Sequence, residues 1–358
     1  MALTRKESRY ELNRDQLAEL LDGQPKYRVE QLWKGLYEDG LPIEEISTLP
    51  LGLRSQLDEL LPLALFDRVS RISEGGETHK WLWGLADGDA VETVLMHYTD
   101  RSTVCVSSQA GCAMACGFCA TGQEGFRRHL STGEIVEQVI RAREAAKPRR
   151  LSNVVFMGMG EPLANYDAVW GAVRRIHNDL GLSARHITMS TVGLIPGIRR
   201  MATEDLPVSL AVSLHAATNE LRSELVPINN RYPIDELADA CSEYVAASGR
   251  RLSFEWALIA GVNDTREQAI ALADLCKELR AHVNLIPLNP TPGYLTVGTN
   301  AAGVKRFQGW LLERNTNATI RRNRGTDIDA ACGQLRASQS QTTTSMVAAP
   351  KRKPRLEP

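Results

Sequence analysis

From residue 1 to about 62, apolar positions recur at three- and four-residue spacing in YELNRDQLAELLDG, KYRVEQLWKGLYEDG and LRSQLDELLP. That period predicts amphipathic helices, with Gly23 and Gly40 as punctuation, and hence a small helical accessory domain. Between 63 and about 100 the period shortens to two. FDRVSRIS, HKWLWGLADG and AVETVLMHYT alternate polar and apolar residues and predict a short antiparallel β extension. Alternation of this kind places Glu92, in AVETVL, on the solvent side.

From about 101 to 323 strand-like and helix-like segments take turns. The strand candidates are TVCVSS, NVVFMG, HITMST, VSLAVSL, LSFEWALI, VNLIPL and ATIRR; four long amphipathic segments lie between them. Ser131 and Glu134 form a Ser-x-x-Glu capping box at the start of the first helix. The alternation predicts an α/β fold, a parallel sheet wrapped by helices, with length for six βα units: a partial (βα)6 TIM-like barrel. In such folds the residues just past the strand C-termini form the active face. The expected divisions are 1–62 helical, 63–100 β extension, 101–336 the catalytic core with a C-terminal cysteine segment, and 337–358 a polar, basic tail expected to be disordered.

Net charge is −1, so no global basic field announces a nucleic-acid partner, and any RNA contact must be local. Arginine pairs supply candidates; Arg127-Arg128 stands nearest the cysteine-rich segment. The polar N-terminus and the absence of any long apolar run predict a cytoplasmic protein with no membrane partner. Of the seven cysteines, Cys241 and Cys276 sit within amphipathic helical patterns and read as small buried side chains. The other four, in a reducing compartment, point to metal binding or catalysis.

Cys112, Cys116 and Cys119 have the spacing Cys-x3-Cys-x2-Cys just after a strand candidate. Three thiolates so close in sequence can ligate three corners of a [4Fe–4S] cluster, leaving one iron open to chelate S-adenosylmethionine (SAM). A structural zinc site wants four ligands. His129 is the nearest further candidate, and no Cys-x2-Cys or His-x3-His partner follows it. The spacing is the signature of the radical SAM superfamily. The runs CVSSQAGCAMACGFCATG, GMGEPL, STVG, SLHA, LIPLNPTPG and GTDIDAACGQL, spread from about residue 10 to 336, closely resemble the RlmN/Cfr family of rRNA adenine methyltransferases.

That resemblance implies roles. Gly160 and Glu161 match the segment that binds the SAM amino group, and Ser190, Ser213, Leu214, His215 and Asn289 match further SAM contacts. Cys332 matches the cysteine that is methylated, Cys105 the one that resolves the protein–RNA adduct, and Glu92 the proton acceptor. The chemistry explains the pair. Adenine C2 and C8 are not nucleophilic, so a thiolate takes the methyl first, and a second thiol releases the product through a transient disulfide. The implied activity is methylation of adenine C2 in 23S rRNA and in tRNA, by a monomer using one [4Fe–4S] cluster and two SAM molecules, reduced by a small donor such as flavodoxin or ferredoxin. The alternatives are a Cfr-like C8 enzyme, which shares these motifs, and a non-enzymatic iron–sulfur RNA-binding module.

Overall fold

The computed structural model describes residues 8–291, 297–321, 324–331 and 333–335. Ten strands form one open sheet: β1 (Phe66–Ile72), β2 (Thr78–Gly84), β3 (Ala90–His97), β4 (Ser102–Cys105), β7 (Leu151–Phe156), β8 (Ile187–Thr191), β9 (Ser209–Ser213), β10 (Leu252–Leu258), β11 (His282–Pro287) and β12 (Ala318–Ile320), in that spatial order. The remaining two, β5 (Gln109–Gly111) and β6 (Phe126–His129), form a separate hairpin. Pairing is antiparallel from β1 to β4 and parallel from β4 to β12. Neighbours in the parallel part follow chain order, which is barrel topology rather than a doubly wound sheet.

The helices bury the faces their patterns mark. Thr132–Ala146 buries Ile135, Val136, Val139 and Ile140 against the sheet; each such side chain contributes about 1.5–3 kcal/mol. Its N-terminus carries the expected reciprocal cap, Glu134 N–H donating to Ser131 Oγ at 3.2 Å and Ser131 N–H to the Glu134 carboxylate at 2.9 Å. Cys241 and Cys276 are buried on the helices Ile234–Ser248 and Arg266–Leu279.

The N-terminal helices Arg14–Leu20, Tyr27–Trp33 and Leu51–Leu60 share one continuous apolar core with the sheet, and Gly23 and Gly40 adopt positive φ at their turns. The β extension departs from the sequence expectation. Strand β3 is buried along almost its whole length rather than on alternate positions, and Glu92 is buried. One face lies under the helix Thr132–Ala146, where Thr93 Oγ1 donates to Gln138 Oε1 at 2.8 Å. On the other, Lys80 pairs with Glu92 and also donates to Asp329 O of the C-terminal segment. Among the described residues no helix is long and apolar enough to cross a membrane.

Candidate active site

The cysteine-rich loop leaves the β5–β6 hairpin. Gly111, at φ +73°, makes the exit possible, since a Cβ there would lie 1.9 Å from the Gly125 carbonyl oxygen. The loop folds back on itself: Cys112 N–H donates to Gly125 O at 2.9 Å and Cys119 N–H to Cys116 O at 3.1 Å. All three thiols then face a cavity of about 160 Å³.

That cavity also receives the strand ends. Gly160, Glu161, Ser190, Ser213, His215 and Asn289 line it, past or at the C-termini of β7, β8, β9 and β11. Leu214 does not. Its side chain lies in the core and its backbone N–H donates to Glu255 O at 3.1 Å. Gly160 has φ +101°, and a Cβ there would meet Gln109 Cβ at 2.6 Å. The close approach lets Gln109 Oε1 accept the Glu161 N–H at 2.8 Å.

Glu161 is buried. Its carboxylate accepts the backbone N–H groups of Leu163 (3.1 Å) and Val192 (2.9 Å). Burial nevertheless dominates and pushes its pKa up to about 7. His215 sits at φ +60°, where its Nδ1 accepts the Ala257 N–H at 3.0 Å. That bond assigns the remaining proton to Nε2, and burial drops the ring pKa to about 3, so His215 is a neutral donor. Behind them the buried Arg222 guanidinium donates to three neutral oxygens, of Leu214 (3.2 Å), Asn229 (2.8 Å) and Val192 (2.6 Å).

The donor set fits an iron–sulfur cluster and SAM. Burial raises the Cys112 thiol to about 12 and Cys116 further, and each is raised again by its neighbouring thiols. All three can be thiolates together only around a cationic group. They line one cavity without closing on a point: among the described residues no three His, Cys, Asp or Glu side chains are spaced to grip a single ion. Ligands at three corners of a cubane are spread in this way. His129, the rival zinc ligand, is engaged with Gln109 Nε2 at 3.0 Å outside the cavity. For SAM the telling atom is Glu255 Oε2, which is buried in the cavity wall and has no hydrogen-bond partner among the described residues, with Arg321 Nη1 3.9 Å away. A ligand rich in hydroxyl and amine donors would satisfy it.

Glu92 and Cys105 lie outside this cavity. Cys105 lines a second, smaller one of about 30 Å³ together with Met157, Arg321 and Ala331. Arg321 and Met157 line both cavities. Cys332 lies outside the described residues, as does the tail. Of its two neighbours, Ala331 lines the small cavity and Gly333 the large one. Of the arginine pair, Arg128 is spent: it donates to both Glu134 carboxylate oxygens at 2.8 Å and also pairs with Asp87. Arg127 is exposed and lines a separate groove with Arg68.

Sequence reasoning missed Lys80, Gln109 and Glu255, and offers Arg321 only as half of the arginine pair Arg321-Arg322, a candidate RNA contact, rather than as part of the cavity wall. Gln109 had a signal, since it lies within the CVSSQAG run. Lys80 and Glu255 are single polar residues in strand patterns, and nothing near them in sequence marks them.

Residues 106–276 match the Radical SAM superfamily, a span holding all three cavity thiols and Glu161. Fold and site together define a radical SAM enzyme. Over nearly its whole length the chain is similar to the probable dual-specificity RNA methyltransferase RlmN of Chloroflexus aurantiacus (49% identical, covering 92% of this chain and 93% of that protein). It is likewise similar to the dual-specificity RNA methyltransferase RlmN 1 of Myxococcus xanthus (48%, covering 92% and 94%). A crystal structure of a radical SAM methyltransferase from Sphaerobacter thermophilus superposes with a TM-score of 0.90 at 47% identity, covering 93% of this chain and all of that one. The chain belongs to the RlmN family of radical SAM methyltransferases.

Proposed function

We propose that this chain methylates C2 of a specific adenosine in 23S rRNA and of an adenosine in tRNA, through a methyl-cysteine carried by Cys332. The observation that carries the reading is the pair of neighbouring cavities. One is lined by Cys112, Cys116, Cys119 and Glu161, the other by Cys105; the residues on either side of position 332 reach one each.

In this reading Cys112, Cys116 and Cys119 hold a [4Fe–4S] cluster. When bound, the cluster supplies the electron that cleaves SAM to a 5′-deoxyadenosyl radical. Glu161 accepts the SAM amino group, Gly160 lets the backbone approach, and the His215 Nε2–H, Ser190, Ser213 and Asn289 offer further polar contacts. The surrounding apolar wall (Phe118, Phe156, Ile286, Leu288) excludes water from the radical chemistry. Cys332 presents the methyl group to the target base, Glu92 accepts the ring proton, and Cys105 releases the product by forming a transient disulfide with Cys332. The target base must leave its stack to reach so buried a site. We further propose that residues 1–62 form a helical accessory domain and 63–100 a β extension to the catalytic core, that the enzyme works as a cytoplasmic monomer, and that a flavodoxin- or ferredoxin-like protein reduces it.

The test is nucleoside mass spectrometry of rRNA and tRNA from cells with and without the gene. Loss of 2-methyladenosine from both RNAs is the expected result. Loss of 8-methyladenosine instead assigns C8 chemistry, and no change in either leaves only RNA binding.

A further inference from the structure

Lys80 is a buried cation with no place in the reading above. It lies on β2 directly opposite Val94 of β3, and Val94 lies directly opposite Cys105 of β4. Directly paired residues share a sheet face, and so do residues two apart on one strand. Lys80, Glu92, Val94 and Cys105 therefore all project to the same side. On that side Lys80 Nζ meets Glu92 Oε1 at 2.9 Å, with both side chains more than nine-tenths buried. The same ammonium donates to Asp329 O at 3.0 Å. Asp329, at φ +53°, closes the turn Thr326–Ile328, three residues before Cys332. Arg324 fixes the start of this segment by donating to Glu77 (2.7 Å) and to His97 O (2.9 Å).

A buried ion pair is a poor way to gain stability, because desolvating two charges cancels most of their attraction. Its value here is geometric. One ammonium aims the carboxylate of Glu92 and, by its second bond, ties it to the backbone of Asp329 in the same arrangement.

We propose that Lys80 is a positioning residue for the deprotonation step, acting through Glu92 and through the Asp329 carbonyl. The inference rests on the roles given to Glu92 and Cys332 above. In that step the C2–H bond of the protein-linked adenine breaks, the proton goes to a Glu92 carboxylate oxygen, and the bonding electron pair stays in the ring. Lys80 lines neither of the two cavities; it fixes where the accepting oxygen stands when the adduct forms.

The experiment compares wild type, Glu92→Gln, Lys80→Met, Lys80→Arg and the Glu92→Gln/Lys80→Met double variant, each purified anaerobically with its cellular RNA. Iron content, SAM affinity, covalently attached RNA and methylated product are read for each. Lys80→Met is expected to keep iron and SAM binding, to lower product at least about tenfold, and to retain attached RNA as Glu92→Gln does. Lys80→Arg should restore most of the product. The double variant leaves no lone buried charge, so it covers the case in which Lys80→Met fails to fold, and it should lose no more product than Glu92→Gln alone. Normal turnover by Lys80→Met beside a stalled Glu92→Gln overturns the role of Lys80 alone, as does a further tenfold loss in the double variant. Normal turnover by Glu92→Gln overturns the base assignment, and the Lys80 proposal with it.

Discussion

The carboxylate of Glu161 accepts the backbone N–H of Val192 at 2.9 Å, and so ties the end of β7 to the turn after β8. Two such bonds lower its pKa, yet burial outweighs them and leaves it at about 7. In the ligand-free protein this carboxyl is therefore mostly protonated below neutrality. An amino group placed on it selects the ionised form, so binding releases a proton. SAM affinity should fall roughly tenfold between pH 7.5 and 6 in the wild type and stay nearly flat in Glu161→Gln. Stability moves the other way. The folded pKa lies above the unfolded one, so the SAM-free protein should lose stability as pH rises through about 4.5 to 7. Titration calorimetry and thermal melts across this range decide both; a SAM affinity independent of pH would sink the assignment.

Cys112, Cys116 and Cys119 share one cavity, and burial, with the neighbouring thiols, raises the pKa of Cys112 and Cys116. Anaerobic preparations should contain about four irons per chain. Cys116→Ala should lose them while keeping the fold, because Cys116 contributes only a small apolar surface. Zinc without iron in the wild-type protein would contradict the reading.

Cys105 and Cys332 should fail at different stages. Cys332→Ala should carry no methyl on the protein and no RNA adduct. Cys105→Ala should still methylate Cys332 and attack the base, then stall with RNA attached, since no second thiol cleaves the thioether. Denaturing gels of variants purified with cellular RNA separate the two. Normal turnover by Cys105→Ala without attached RNA would rule out the two-cysteine mechanism.

Glu137 holds the entrance to the β extension. Its fully buried carboxylate accepts the N–H groups of Ala64 (2.8 Å) and Leu65 (3.2 Å) and the Arg141 Nε–H (3.0 Å). Glu137→Ala leaves the buried Leu65 N–H without its acceptor and removes one of several partners of the Arg141 guanidinium, and should cost about 2 kcal/mol of stability. Denaturant unfolding measures it, with SAM affinity of the folded variant unchanged. A loss below about 0.5 kcal/mol, the usual effect of a surface substitution, would refute it.

What the sequence determined by itself was local. The three cavity thiols lie within eight residues, the Ser131–Glu134 cap within one helical turn, and the βα alternation within single elements, so spacing alone reports them. The glycines and polar residues at the strand ends were legible as a set because every parallel strand delivers its C-terminus to the same face. Glu92 was misplaced by the same local logic. Alternation assumes one solvent face, and β3 has none once β2, β4, a helix and the C-terminal segment surround it. Spacing offers Arg128 as a candidate phosphate contact but cannot show that Asp87, 41 residues back, and Glu134 already pair with it. Lys80 was invisible because its meaning comes from Asp329, 249 residues away. Periodicity and spacing record what a residue does to its own turn or strand. Which distant charge shares its desolvated surroundings is fixed only when the sheet register and the returning chain bring the two together.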